Sequence, residues 1–297
     1  PMWNKKYERF YHAMMWPGMI MLILFNFIPL YGIVMAFQNF KPVKGIFGSE
    51  FVGLKNFQKL MMMSGFRQAV GNTVIIAVFK IIAGIVVPVF FALLLNECAN
   101  SKIKRTVQTI CYLPNFLSWV ILGVIFTNFF SLTGMFNQML ALLGMDPEIW
   151  MIKASSFRTL LVTTDTWKNF GYGAIIYLAA MTGISQDMYE AADIDGASRM
   201  QKIRYLTLPS IVPTIILMTT LSLRGILDGG FDQVFNMYSE LVYSTGDIID
   251  TYIYRLGLVD LKYSMASAVN LAKSAVSFIL IILSYGLARK FSGYQIF

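Results

Sequence analysis

A metal centre has almost nothing to be built from in this chain. It holds one histidine, His12, and two cysteines, Cys98 and Cys111, in no ligand-type spacing. A zinc site is excluded by that set, and two free thiols are expected. Charge is scarce as well. Asp, Glu, Lys and Arg make up 13% of the 297 residues, about half the share of an ordinary soluble domain. Too few charges remain to coat a soluble body of this size. No glycine-rich loop precedes a Lys-Ser or Lys-Thr pair, so a phosphate cradle of the P-loop kind is missing. No nucleophile elbow is present either, and an intramembrane hydrolase is disfavoured. Low-complexity tracts, short repeats and a second soluble domain are lacking.

What is abundant is apolar sequence, at 57% of residues. A membrane-spanning helix needs about 20 mostly apolar residues, and six stretches qualify: Met14–Phe37, Gly71–Leu95, Val107–Phe130, Leu160–Thr182, Ser210–Leu227 and Ser267–Ala288. The runs are apolar on every face, where barrel strands alternate. An all-α membrane protein with six transmembrane helices is predicted, with residues 1–297 forming one transmembrane domain. The first run has no small-residue cleavage site and reads as a retained span.

The net charge of +8 follows from topology and calls for no nucleic-acid partner. With both termini cytoplasmic, the inner segments carry Lys5, Lys6, Arg9, Lys102, Lys104, Arg105, Arg199, Lys202, Arg204, Arg289 and Lys290. Basic residues are then about twofold denser inside than outside. Outside, Phe51–Phe57 and Met135–Leu143 read as short amphipathic elements on the membrane surface. Residues 229–263 read as a polar loop.

Charges within or beside the apolar runs must face the bundle, a watered pathway or the interface. They are Lys80, Asp165, Lys168, Arg224, Asp228 and Lys273. Asp165 and Lys168 read as interfacial. Arg224 and Asp228 lie four apart and suit either an ion pair or a substrate contact. A watered pathway for a polar solute needs planar polar and aromatic groups. Asn128, Trp167, Asn169, Tyr172, Tyr177, Arg224 and Asp228 are its candidates here.

The segment between the fourth and fifth runs, residues 183–209, is the most informative. Asp187 to Ile194 favours a helix, with acidic residues near its N-terminus where the dipole suits them. Gly196 closes that helix, because glycine tolerates a positive φ. Ala191, Ala192 and Ala197 are small enough for another surface to approach. A second piece follows with Arg199, Lys202 and Arg204. Pro209 is expected to start the next span, where its missing amide hydrogen does little harm.

Glu190-Ala191-Ala192, then Gly196 after three residues, then Leu208-Pro209, resembles the EAA loop of ATP-binding-cassette (ABC) importer permeases. Further resemblance lies in Asn72-Thr73, in Gly134 with Asn137 and Gly144, and in Trp167-Lys168-Asn169-Phe170-Gly171. The stretches Phe231–Tyr238 and Gly246–Arg255 resemble the carbohydrate-uptake branch, in particular its polysaccharide or oligosaccharide permeases. Ile203 departs from that pattern, which more often has an aromatic residue, and Leu206 stands where isoleucine is common. The resemblance implies a type I importer permease fold in a bacterial cytoplasmic membrane, with a cytoplasmic coupling helix pair between spans four and five. It implies no catalytic residue and no metal site in this chain. ATP and Mg²⁺ would belong to two partner ATPase subunits. The other implied partners are a second, homologous permease forming a heterodimer, membrane lipid, and an outer substrate-binding protein, often a lipoprotein. The implied ATPase-coupling residues are Glu190, Ala191, Ala192, Asp195, Gly196 and Ala197. A secondary solute transporter is the alternative, but it usually shows duplicated halves, and none is visible.

Overall fold

The structure is a computed structural model and describes residues 5–223 and 225–292. The chain divides into two compact units. One comprises residues 1–64 and 253–273, the other residues 65–252 and 274–297.

In the first unit, α1 (Lys5–Leu22) runs through a π-helical turn, Ile23–Phe27, into a 3₁₀ segment, Ile28–Phe37. Pro29 explains the change of winding. It has no amide hydrogen and its ring crowds the preceding turn, and the widened turn ends with the Ile28 amide donating to the Ile23 carbonyl. A short antiparallel pair follows, β1 (Gln38–Asn39) with β2 (Glu50–Phe51), in the register Gln38 opposite Phe51. Next comes α2 (Lys55–Met62). Asn56 lies buried beneath the hairpin, and its Nδ2 donates to the carbonyls of Ala36 and Gln38, each at 2.9 Å.

The second unit is built on α3 (Ser64–Asn96), α4 (Ser101–Tyr112), α5 (Trp119–Phe129), α6 (Met135–Ala141) and α7 (Ala154–Thr182). These are followed by α8 (Gln186–Ile194), α9 (Arg199–Lys202), α10 (Leu208–Leu223), α11 (Phe231–Met237) and α12 (Ile249–Tyr254). The last helix, α13 (Tyr263–Ser292), is shared by the two units. The core joins Ile76 of α3, Phe157, Leu160 and Leu161 of α7, and Val234 and Met237 of α11.

Among the described residues, four helical stretches are long and apolar enough to cross a membrane: Phe10–Phe37, Ser64–Asn96, Arg199–Leu223 and Tyr263–Ser284. Three expectations from sequence are corrected. The third run is not one straight rod: α4 with its 3₁₀ extension to Phe116 and α5 meet at a bend of 102°. Pro114 ends α4's regular winding there, and Ser118 caps α5 by accepting from the Ile121 amide. The fifth span does not start at Pro209. The helix is continuous from Arg199 to Leu223 and absorbs the proline with a π-turn, Ile203–Thr207. Residues 229–263 are no free polar loop, because Val234, Met237, Val242, Ile248, Ile249 and Tyr252 are buried.

Candidate functional site

The hinge of residues 183–209 is built from local capping chemistry. Ser185 starts α8, its side chain accepting from the Asp187 amide. At the other end Gly196 adopts φ +74°, a conformation that costs other residues about 1–2 kcal/mol. That turn lets the Ala197 amide reach the Ala192 carbonyl at 2.9 Å and the Gly196 amide reach Asp193 at 3.1 Å, which satisfies carbonyls that a helix end leaves open. Ser198 then opens α9 through a reciprocal capping box with Gln201.

Two side-chain links hold the pair. Lys202 Nζ lies 2.7 Å from Asp193 Oδ1, and the Tyr189 and Thr207 hydroxyls are 2.8 Å apart. Between the helices lies an open groove of about 350 Å³, lined by Ala192, Asp195, Gly196, Ala197 and Lys202 among others. Glu190 and Ala191 are exposed, and Ala192 is half-buried. Ile194, outside every candidate span, is 88% exposed, and Met200, at the start of Arg199–Leu223, is 70% exposed. A self-capped helix pair with a carboxylate, small residues and uncovered apolar tips suits docking rather than catalysis.

Inside the second unit the polar residues do different work. Lys80 donates to the Gly229 carbonyl at 2.9 Å and to Gln233 Oε1, and its Nζ lies 3.7 Å from Asp165. Gln233, fully buried, donates in turn to the Leu161 carbonyl and Thr164 Oγ1, both at 2.8 Å. Asn72 donates to the carbonyls of Tyr243, Ser244 and Asp247, and accepts from Arg158 at 2.7 Å. Thr73 Oγ1 accepts from the Ile249 amide at 2.8 Å. The Asn72-Thr73 pair therefore pins residues 243–249 onto α3. Arg158, which also donates to the Thr245 carbonyl, is a member of this network that sequence reading did not single out. Its place four residues into a long helix was the available signal.

Lys168 is turned into the protein. It is buried, and its ammonium donates to the carbonyls of Pro114 (3.3 Å), Asn115 (2.6 Å) and Leu117 (2.8 Å). They lie at the break between α4 and α5, where the Pro114 carbonyl also accepts from the Leu117 amide at 3.2 Å. One turn on, Gly171 lies so close to the Cys111 carbonyl that a Cβ would collide with it.

The profile of the binding-protein-dependent transport system inner membrane component family matches residues 84–293. The chain belongs to that family. It is 36% identical to the polygalacturonan/rhamnogalacturonan transport system permease protein YteP of Bacillus subtilis (strain 168), over 96% of this chain and 89% of YteP. It is also 36% identical to protein LplB of the same organism, over 96% of this chain and 90% of LplB. Among solved structures, it superposes on a chain of a bacterial ABC transporter involved in the import of the acidic polysaccharide alginate. The TM-score is 0.88 at 33% identity, covering 97% of each chain. A chain of the alginate transporter in complex with an alginate pentasaccharide-bound periplasmic protein gives 0.88 at 32% identity, covering 98% of each. The fold is thus that of an ABC importer permease, a multi-pass inner-membrane component.

In this permease the pathway candidates do not converge on one spot. Trp167 is 46% exposed and meets Phe126 edge-on, with 5.6 Å between ring centroids. Together with Thr163, Thr164, Phe129 and Phe130 they line a mostly apolar hollow of about 410 Å³. Asn169 accepts from Asn115 at 3.0 Å, and exposed Tyr172 packs edge-on to Phe116. Tyr177 is buried in an aliphatic cluster with Val89, Ala92 and Ile211. Asn128 is exposed and donates to the Val124 carbonyl one turn back. Asp228 is exposed and accepts from the Gly230 amide. Arg224 lies outside the described residues.

Proposed function

We propose that this chain is one of two different permease subunits of an ATP-driven importer of oligosaccharides. In this reading the whole of residues 1–297 works as one permease domain with six spans. Five are the four long apolar helices and the bent pair, and α7, whose 29 residues extend about 43 Å, is the sixth. Both termini are cytoplasmic. The substrate class is supported by the relatives, whose names specify polygalacturonan/rhamnogalacturonan and alginate. Substrate arrives from an outer binding protein that meets residues 51–57 and 229–263. Trp167, Asn169 and Tyr172 on α7 are the first choice for sugar contacts, as a ring face and two hydrogen-bonding groups on one helix.

The observation that carries the proposal is the exposed, self-capped helix pair at residues 183–209. Glu190 pairs with a basic residue of a separate ATPase, Ala191 and Ala192 allow close fit, and Gly196 sets the bend. Asp195 and Ala197 flank that bend. ATP and Mg²⁺ are bound by the ATPase, and this chain hydrolyses nothing. Approach of the two docked pairs when the ATPases close converts an inward-facing pathway into an outward-facing one.

The test is reconstitution of the complex in liposomes with Glu190→Ala. A charge pair desolvated at an interface centre costs about 2–5 kcal/mol when cut, so uptake and transport-coupled ATP hydrolysis should fall at least tenfold. Unchanged uptake together with unchanged ATPase retention on the permease rejects the assignment.

A further inference from the structure

The hairpin of the first unit ends in a tip that is both rigid and uncovered. Its shape is fixed from within. The Lys44 and Gly45 amides donate to the Lys41 carbonyl at 2.9 and 3.1 Å. Ser49 Oγ donates to the Gly45 carbonyl at 2.6 Å and accepts from the Lys41 amide at 3.1 Å. Gln38 Nε2 reaches across to the Ile46 carbonyl at 2.9 Å. At the base the Phe40 amide donates to Ser264 Oγ at 2.9 Å, and the Phe40 ring meets Tyr263 edge-on. Ile46 is turned half inward. Val43 is 100% exposed and Phe47 96% exposed. Fully bared apolar side chains on a well-bonded turn are held out toward something that covers them.

Charge and tether select the occupant. Across residues 38–62 stand Lys41, Lys44, Lys55 and Lys59 against the one carboxylate of Glu50. The tip is tied to apolar spans on both sides, since Phe10–Phe37 ends four residues before Lys41 and Ser64–Asn96 begins shortly after α2. Four residues reach at most about 14 Å, so Lys41 stays within that distance of the end of the apolar stretch. A basic rim around apolar side chains is the chemistry that settles at the boundary between phosphate headgroups and acyl chains. A soluble partner that leaves after each delivery would expose Val43 and Phe47 to water between visits, whereas the bilayer is always present.

We infer that residues 41–48 are a membrane-surface anchor. Val43 and Phe47 enter the headgroup–acyl boundary, and Lys41 and Lys44 engage the phosphates of anionic phospholipids. Lysine suits this position because its stem lies along apolar surface while the ammonium stays at the phosphate level.

The test uses the full chain in nanodiscs. Val43→Cys and Phe47→Cys are labelled separately with an environment-sensitive fluorophore, and the labelled parent supplies the background from Cys98 and Cys111. Bilayers are phosphatidylcholine with or without phosphatidylglycerol, doped with a lipid carrying a nitroxide near the headgroup. The expected result is quenching and a blue shift at both positions, stronger with phosphatidylglycerol. Lys41→Gln with Lys44→Gln should remove that anionic gain. Water-like emission without quenching in both bilayers overturns the anchor. Equal quenching with and without phosphatidylglycerol overturns the anionic headgroup assignment. Protection that develops only when the outer binding protein is added assigns the tip to that protein and overturns the inference.

Discussion

The Lys168 site and the Lys202 site both place a lysine beside a helix break, and they serve opposite ends. Lys168 is buried and spends three hydrogen bonds on the carbonyls of a bent span. Lys202 forms one pair with Asp193, itself 61% exposed, on a foot whose helices are already capped by their own residues. The interior thus uses charge to complete the backbone, where water cannot. The foot leaves charge and apolar tips uncommitted, which a docking surface requires. Substitutions inside should therefore cost mainly stability, and substitutions on the foot mainly transport.

The largest effect is expected at Lys168. Lys168→Met takes the ammonium donor from the part-buried Asn115 and Leu117 carbonyls, each loss costing about 1–3 kcal/mol, so the thermal midpoint of the detergent-purified permease should fall steeply. A midpoint within a degree of the parent would erase the contrast. Next is Lys80→Met, which strands Asp165 and the Gln233 carbonyl oxygen. Asp165 keeps 25% of its side-chain exposure, so solvent screening reduces the loss to about 2 kcal/mol. Removing the stranded charge as well, with Asp165→Leu, should recover part of it. Gly196→Val should cost about 1–2 kcal/mol from the left-handed backbone, confined to the foot, with uptake falling more than the unfolding midpoint. Lys202→Ala cuts an exposed pair worth less than about 1 kcal/mol, and circular dichroism melting should scarcely register it.

The same contrast explains what the sequence disclosed. The foot's limits were legible because its signals are local. Ser185, Gly196, Ser198 and Gln201 act on residues within five positions of themselves. The membrane class was legible from the apolar runs. Lys168 was not, since its partners lie more than fifty positions away on another helix and exist only because that helix bends. Pro114 sits at that bend, inside a run that reads as a single span in sequence. Residues 229–263 misled for a related reason. Their polar groups are counted easily in sequence, while the buried Asn72 and Thr73 and the half-buried Lys80 that bond them lie on α3. The pathway candidates were chosen by residue type alone, which cannot separate Tyr177 in an aliphatic cluster from Tyr172 at the surface.

The π-turn at Ile203–Thr207 makes one helix carry two independent phases. It inserts about one residue beyond regular winding, so side chains on its two sides are offset by roughly 100° from where an unbroken α-helix would put them. Azimuth on the Arg199–Lys202 stub is thereby uncoupled from azimuth along Leu208–Leu223. A single-residue deletion there would rotate the stub's whole contact face around the rod and leave every downstream position untouched.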